Sequence, residues 1–180
     1  MSVDNSGLIA FQQQIEALKN EVPDIMEELV IGEGVYAAKQ AKLICKNDVP
    51  DIVNNGDYRN NFHAGNKALI HNGNKEHDGS KPQRSGKWYR IDVYNNLDYA
   101  KHLEYGFRSH FVPGHWSGRT FVYQKNDPKG GMYVGPYKGY VRGHFTLRRA
   151  IKRAKDTQDA RLSRKMDRII RERLTPHGSG

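Results

Sequence analysis

Few residues in this chain are spaced for chemistry. His110 and His115, with His102 before them and His144 after, form the one cluster that invites a metal. A spacing of five does not put two histidines on one helical face, and no cysteine or nearby carboxylate completes a tetrahedral set. Solvated or hydrogen-bonded loop histidines are the expected state. His102 and Glu104 could pair as base and orienter, but two residues apart on a helix they point to different sides. Gly130, Gly131, Gly135 and Gly139 surround Lys138, yet Lys138 lacks the Gly before it and the Ser or Thr after it that a phosphate loop uses. No catalytic residue, cofactor site or metal site is expected.

Charge is the stronger signal. The chain of 180 residues carries a formal net charge of +9, and the excess sits at one end. From Arg142 to Leu174 twelve Lys or Arg face four acids, whereas from Met1 to Lys46 seven acids face four lysines. Arg148, Arg149, Lys152, Arg153, Arg161, Arg164 and Lys165 could contact phosphates in a salt-dependent way that ignores sequence. The same face could instead meet an acidic protein surface, including the acidic N-terminal helices of the same or a neighbouring subunit. Without a motif that reads bases, the protein partner is the preferred reading.

The elements that position these groups follow from periodicity. Leu8, Phe11, Ile15, Leu18 and Val22 fall at helical spacing. Pro23 marks a boundary and can open a second helix, in which Ile25, Leu29, Val35, Tyr36 and Ile44 trace an imperfect stripe to about Cys45, with a bend at Gly32 and Gly34. Pro50 to Gly56 must reverse the chain. Asn61 to His71 reads as a strand, Asn72 to Gly86 as a polar loop, and Trp88 to Tyr94 as a half-buried strand. Asp98 can cap a short helical turn from Tyr99 to Tyr105 that Gly106 ends in a left-handed conformation.

Phe107 to Tyr140 mixes aromatic residues with Gly and Pro and keeps no period. A structureless loop of that length is uncommon, so short strands are expected near Thr120–Gln124 and Met132–Val134, or an arm that packs on a neighbouring subunit, the preferred reading. Leu147, Ala150, Ile151, Ala154, Leu162, Met166, Ile169 and Ile170 then mark one basic helix from Thr146 to Leu174, with a break near Asp156 to Asp159. The reading is a single α+β domain over residues 1–174. A helical part at 1–46, a small antiparallel sheet core at 58–106, an aromatic arm at 107–140 and a basic helix at 144–174 compose it. Residues 175–180 read as a disordered tail.

Composition sets outer bounds. A single cysteine, Cys45, excludes an internal disulfide framework and reads as a buried thiol in a reducing compartment. No apolar run approaches the roughly 20 residues that span a bilayer, and MSVDNSGLIAFQQQ lacks the features of a signal peptide. No membrane partner is expected.

Two short motifs carry a resemblance. Pro50, Gly56, Arg59 and Phe62 form a turn that leads into a strand, and Tyr99, Ala100, Glu104 and Gly106 spell Tyr-Ala-x-x-x-Glu-x-Gly. In this order, over about Leu8 to Ala154, the chain resembles the gp-ten-like family of long-tailed bacteriophage neck and minor tail proteins. It departs from that family in a longer loop between Pro50 and Arg59, which lacks the usual Thr, in a long segment after Gly106, and in a longer basic helix. The resemblance implies a virion component without enzymatic activity: an α+β subunit that closes into a ring, a hexamer foremost. That ring would lie at the neck or the head-proximal end of the tail, where it completes the tail and joins it to the head, or in the collar of a phage-tail-like particle.

Partners would then be further copies of itself and adjacent neck, tail-tube or sheath proteins, in the virion and, during assembly, in the host cytoplasm. Phe107, Phe111, Trp116, Phe121, Tyr123, Tyr133 and Tyr137 would contact neighbours. Glu104 would accept bonds from backbone amides or from Arg59 or Arg90. The alternative is a nucleic-acid-binding protein that touches DNA non-specifically through the basic helix, more remotely a nuclease using His110, His115 and Glu104.

Overall fold

The computed structural model describes residues 6–49, 56–68, 75–128 and 130–174. The fold is mixed α+β and divides into two compact units, Met1–Asn96 with Leu147–Gly180, and Leu97–Thr146. The expected turn residues Pro50 to Asn55 and the last residues, Leu69 to His71, of the strand expected from Asn61 lie outside the described residues, as does the tail at 175–180; within the described part that strand is shorter than expected, Phe62–Gly65, with a turn at 67–68.

In the first unit, α1 spans Ser6–Asp48 without interruption, and this corrects the expected two helices. Proline inside a helix costs about 3 kcal/mol in lost hydrogen bonding and steric conflict. Packing on both sides of Pro23 offsets that cost. Ile25 and Leu29 bury against Ile169, with Leu18, Met26, Leu162 and Met166 around them, so one apolar seam continues across the proline. The two glycines expected to bend the helix stay helical and serve close approach instead. A Cβ at Gly34 would lie 2.8 Å from Ile91 and 3.0 Å from Ala64.

Past these glycines α1 turns small residues inward. Ala37, Ala38, Ala41, Ile44 and Cys45 are buried. They face a two-stranded antiparallel pair, β1 (Phe62–Gly65) and β4 (Asp92–Asn95), in which Phe62 lies opposite Asn95 and Ala64 opposite Val93. Gly56, at φ 89°, turns the chain into the single-turn helix α2 (Asp57–Asn60). There the buried Tyr58 meets the Phe62 ring edge-on at 5.1 Å.

The polar loop expected to run to Gly86 contains a strand, β2 (Gln83–Ser85), which forms a hairpin with β3 (Trp88–Arg90) through Gly86 at φ 58°. The expected strand from Trp88 to Tyr94 is split at Ile91 into β3 and β4, whose partners are different strands.

The second unit begins with α3 (Ala100–Tyr105). Its N-cap is Tyr99, and no side chain caps it, so the cap assigned to Asp98 is not made. Backbone bonds start the turn instead, from Ala100 N–H to Leu97 O at 2.9 Å and from His102 N–H to Tyr99 O at 2.9 Å. Four of the next five strands fall where one aromatic arm was expected: β5 (Gly106–Arg108), β6 (His110–Ser117), β7 (Thr120–Tyr123) and β8 (Gly131–Val134), with β9 (Tyr140–Arg142) at its end. The two short strands expected there are β7 and β8. Neither β5 nor β6 was expected, and β6, the longest strand among the described residues, pairs antiparallel with both β7 and β8.

The C-terminal helix breaks at Thr157, inside the expected interval, into α4 (Thr146–Asp156) and α5 (Gln158–Leu174). Among the described residues no helix is long and apolar enough to cross a membrane.

Candidate functional site

The corner at Gly106 is built backbone against backbone. Gly106 holds φ 82° and ψ 179°, so its φ is positive as expected while its extended ψ is not left-handed helical. That region is essentially closed to residues with a Cβ. A Cβ there would also run into Val141 O and come within 2.6 Å of Gly143 N. Gly143 is required for the same reason from the other side, since a Cβ on it would run into Glu104 O. Between the two glycines, His144 N–H donates to Leu103 O at 2.8 Å and Phe145 N–H to Glu104 O at 3.0 Å. These bonds satisfy carbonyls that a helix end leaves open. Gly106 lies opposite Arg142 in the β5–β9 pair, and the Tyr140 hydroxyl donates to Tyr105 O.

Within this corner Glu104 is buried, while Tyr99 on the first turn is exposed and Ala100 half-buried. Of the two arginines considered for Glu104, Arg59 donates to Asn60 Oδ1 at 3.4 Å and Arg90 to Asp92 Oδ1 at 2.9 Å.

The β7–β6–β8 sheet distributes its rings over both faces. Side chains directly opposite in an antiparallel pair share a face, and neighbours along a strand alternate. Phe111 lies opposite Tyr133 on β8, with ring centroids 5.4 Å apart, and Tyr137 follows at 6.1 Å from Tyr133. Trp116 lies opposite Phe121 on β7, also at 5.4 Å. Phe111 and Trp116 are an odd number of residues apart on β6, so the two pairs occupy opposite faces, and Tyr123, opposite Gly114, joins the Trp116 side. Phe111, Trp116, Tyr123, Tyr133 and Tyr137 are all exposed.

Two glycines make room for these rings: a Cβ on Gly131 would strike Phe111, and one on Gly114 would lie 2.9 Å from Phe121. Phe107, half-buried on β5, sits edge-on between His102 and His110 at 5.7 and 6.0 Å. Aromatic area exposed on both faces of a small sheet is a surface suited to protein contact.

Four basic residues of α4 and α5 pair with acids of α1. Arg149 and Arg153 both reach Asp48, the latter at 3.0 Å. Arg161 holds Glu33 through both carboxylate oxygens, with Nε to Oε1 at 3.1 Å, and lies 3.7 Å over the Tyr36 ring. Its hydrogen bond to Glu33 raises the guanidinium pKa further. Lys165 pairs with Glu28 at 3.0 Å, and Lys152 with Asp156 on its own helix at 2.8 Å. Arg148 and Arg164 are exposed.

The histidines do not converge. His110 Nδ1 faces Arg108 O at 3.1 Å, and His115 Nδ1 bonds the buried carboxylate of Asp127. Among the described residues no group of three or more His, Cys, Asp or Glu could hold a metal ion. Sequence spacing missed Asp127, which approaches His115 only because the chain folds back through β7.

It also missed Asp78. That carboxylate accepts from Asn66 N–H at 2.7 Å, Ser80 N–H at 2.8 Å, Ser80 Oγ at 2.6 Å and the Tyr94 hydroxyl at 2.6 Å. Burial pushes its pKa up, and the bonds from Ser80, Tyr94 and Asn66 outweigh that and hold it at about 2. Burial and the neighbouring Asp78 charge push the Tyr94 phenol up. Asp-Gly-Ser at 78–80 is a turn signature that could have pointed to this cradle. Its role is to tie three segments together.

A family model described as "Bacteriophage HK97-gp10, putative tail-component" matches residues 9–106. No curated protein and no solved structure matches the chain. The matched span takes in most of α1, the β1–β4 pair and the corner that Gly106 closes, while the aromatic sheet and the basic helices lie beyond it. With more than half of the sequence inside that match, and the Tyr99–Gly106 motif at its end, the chain belongs to the HK97-gp10-like family of bacteriophage tail components.

Proposed function

We propose that the protein is a structural ring subunit at the phage neck or the head-proximal end of the tail, which completes the tail and joins it to the head. The observation that carries this reading is the small sheet with exposed aromatic rings on both faces. In a tail component such a surface has virion proteins to meet, either further copies of the chain or adjacent neck, tail-tube or sheath proteins. Phe111, Tyr133 and Tyr137 would serve one neighbour and Trp116, Phe121 and Tyr123 another, with Phe107 at the root of the sheet. A hexamer is the expected ring.

The motif residues have a structural task in this account. Gly106 with Gly143 sets the angle at which β5 leaves α3, and Glu104 holds the corner rather than acting as a base. Gly56, Arg59, Tyr99 and Ala100 shape the two turns. The family's structural character supports a protein without catalytic activity.

Mass spectrometry of purified particles, together with light scattering of the isolated protein, tests the proposal. The expected outcome is a stoichiometric virion component that is either a discrete oligomer or a monomer that assembles on the tail. Absence from purified particles would refute it.

A further inference from the structure

The first unit carries an exposed apolar stripe at the start of α1 and a groove beside α5. The α1 seam repeats in alternating steps of four and three, from Phe11 through Ile15, Leu18, Val22 and Ile25 to Leu29, the spacing of helices that pack side by side. At 1.5 Å per residue α1 is about 65 Å long and α5 about 26 Å. The seam therefore outruns its cover. Phe11 is 51% exposed, Ile15 46% and Val22 47%.

The groove, of about 580 Å³, is walled by Met26, Val30, Tyr89, Ile91, Leu162 and Met166. Ile170, one turn beyond Met166 on α5, is also exposed. Arg90 stands at its mouth, paired with Asp92 at 2.9 Å but with most of its side chain exposed, and the acid that lines the groove, Glu33, is neutralised by Arg161. Charge is complementary to this, because residues 9–24 of α1 carry Glu16, Glu21 and Asp24 against Lys19 alone. The stripe also belongs to the face that α5 covers further along, so it already fits a surface of this kind within its own chain. Since α1 is one unbroken helix, residues 9–17 cannot fold back onto a groove walled by residues 26 and 30 of that same helix.

We propose that the N-terminal stripe of one copy, Phe11 and Ile15 foremost, docks in the groove of a second copy, with Glu16 facing Arg90. The contact is head-to-tail, so it repeats from copy to copy and closes when the rotation permits. This deepens the ring reading and rests on it.

The test uses a stripe variant, Phe11→Asp with Ile15→Asp, and a groove variant, Val30→Glu, with Tyr89→Lys as a second groove variant on another element. Melting by circular dichroism confirms that each is folded. In light scattering each alone should stay at the 20.6 kDa monomer mass, and an equimolar mixture should give a species of twice that mass. The groove variant supplies an intact stripe and the stripe variant an intact groove. A groove variant that still self-associates like the wild type would mean that stripes pair with each other, and would overturn the proposal. For a wild type that assembles only on tails, Ile15→Cys with Val30→Cys in the full chain should give a disulfide-linked ladder in purified particles. No ladder there and no complementation in solution overturns the docking, while detection of the subunit in those particles would leave the ring reading standing.

Discussion

Replacing Asp78 by Asn should weaken the first unit by an amount that depends on pH. The carboxylate receives hydrogen bonds from Asn66, Ser80 and Tyr94, and its pKa falls from 3.8 to about 2 in the folded chain. A difference of nearly two units at 1.36 kcal/mol each corresponds to about 2 kcal/mol. The folded-state pKa is the depressed one, so this stability is fully present above the unfolded pKa near 4 and is lost as pH falls through about 2. Urea unfolding followed by far-UV circular dichroism, which the long α1 dominates, reads the effect. With an m value of about 2 kcal/mol per molar, the Asn variant should unfold about 1 M earlier than wild type at pH 7. Repeated between pH 5 and pH 2, the gap between the two proteins should shrink. A variant with wild-type midpoint at pH 7, or a gap that stays constant down to pH 2, would mean that the Asp78 carboxylate does not stabilise the fold.

Gly106→Ala should cost about 1–3 kcal/mol, because the new Cβ meets both a positive φ and the Val141 carbonyl, and hydrogen exchange should show the His144 and Phe145 amides losing protection. Phe111→Ser combined with Trp116→Ser should leave stability within about 1 kcal/mol of wild type, since both rings are exposed, yet should abolish incorporation into particles; normal incorporation would remove the aromatic sheet from the account. Arg161→Lys should lower stability by about 1–2 kcal/mol in thermal melts, because lysine cannot keep two bonds to Glu33 and the stack on Tyr36. Duplex DNA should bind undetectably at near-physiological salt, given that Arg149, Arg153, Arg161 and Lys165 are already bonded to acids of α1. Binding that falls steeply with salt and vanishes in Arg148→Glu with Arg164→Glu would instead favour the nucleic-acid reading.

Periodicity made the helices legible, and local chemistry alone could not say where they stop. Pro23 reads as a boundary because its cost is local, whereas the packing of Ile25 and Leu29 on Ile169, which keeps the helix going, comes from more than a hundred residues away. Gly34 looks weak for the same reason until Ile91 is known to lie over it. The break at Thr157 was visible because polar residues interrupt the stripe between Ala154 and Leu162. In the second unit β6 escaped notice because Pro113 and Gly114 mask its alternation, and its aromatic residues divide between two faces instead of marking one. The Tyr99–Gly106 motif pointed to the family, but not to Gly143, the second glycine of the corner, whose need appears only when the two backbones meet. The charge asymmetry suggested a partner for the basic helices. That those partners include Asp48, reached from α4, and Glu33 and Glu28, reached from α5, required both helices to run back along α1.

As a ring subunit, this tail component would sit at the head-proximal end. Electron microscopy of particles carrying a labelled copy of the chain would locate it. Label should be confined to one level, at the junction of head and tail, with rotational symmetry about the tail axis. Label along the tail shaft, at its distal tip or nowhere on the particle would contradict that placement.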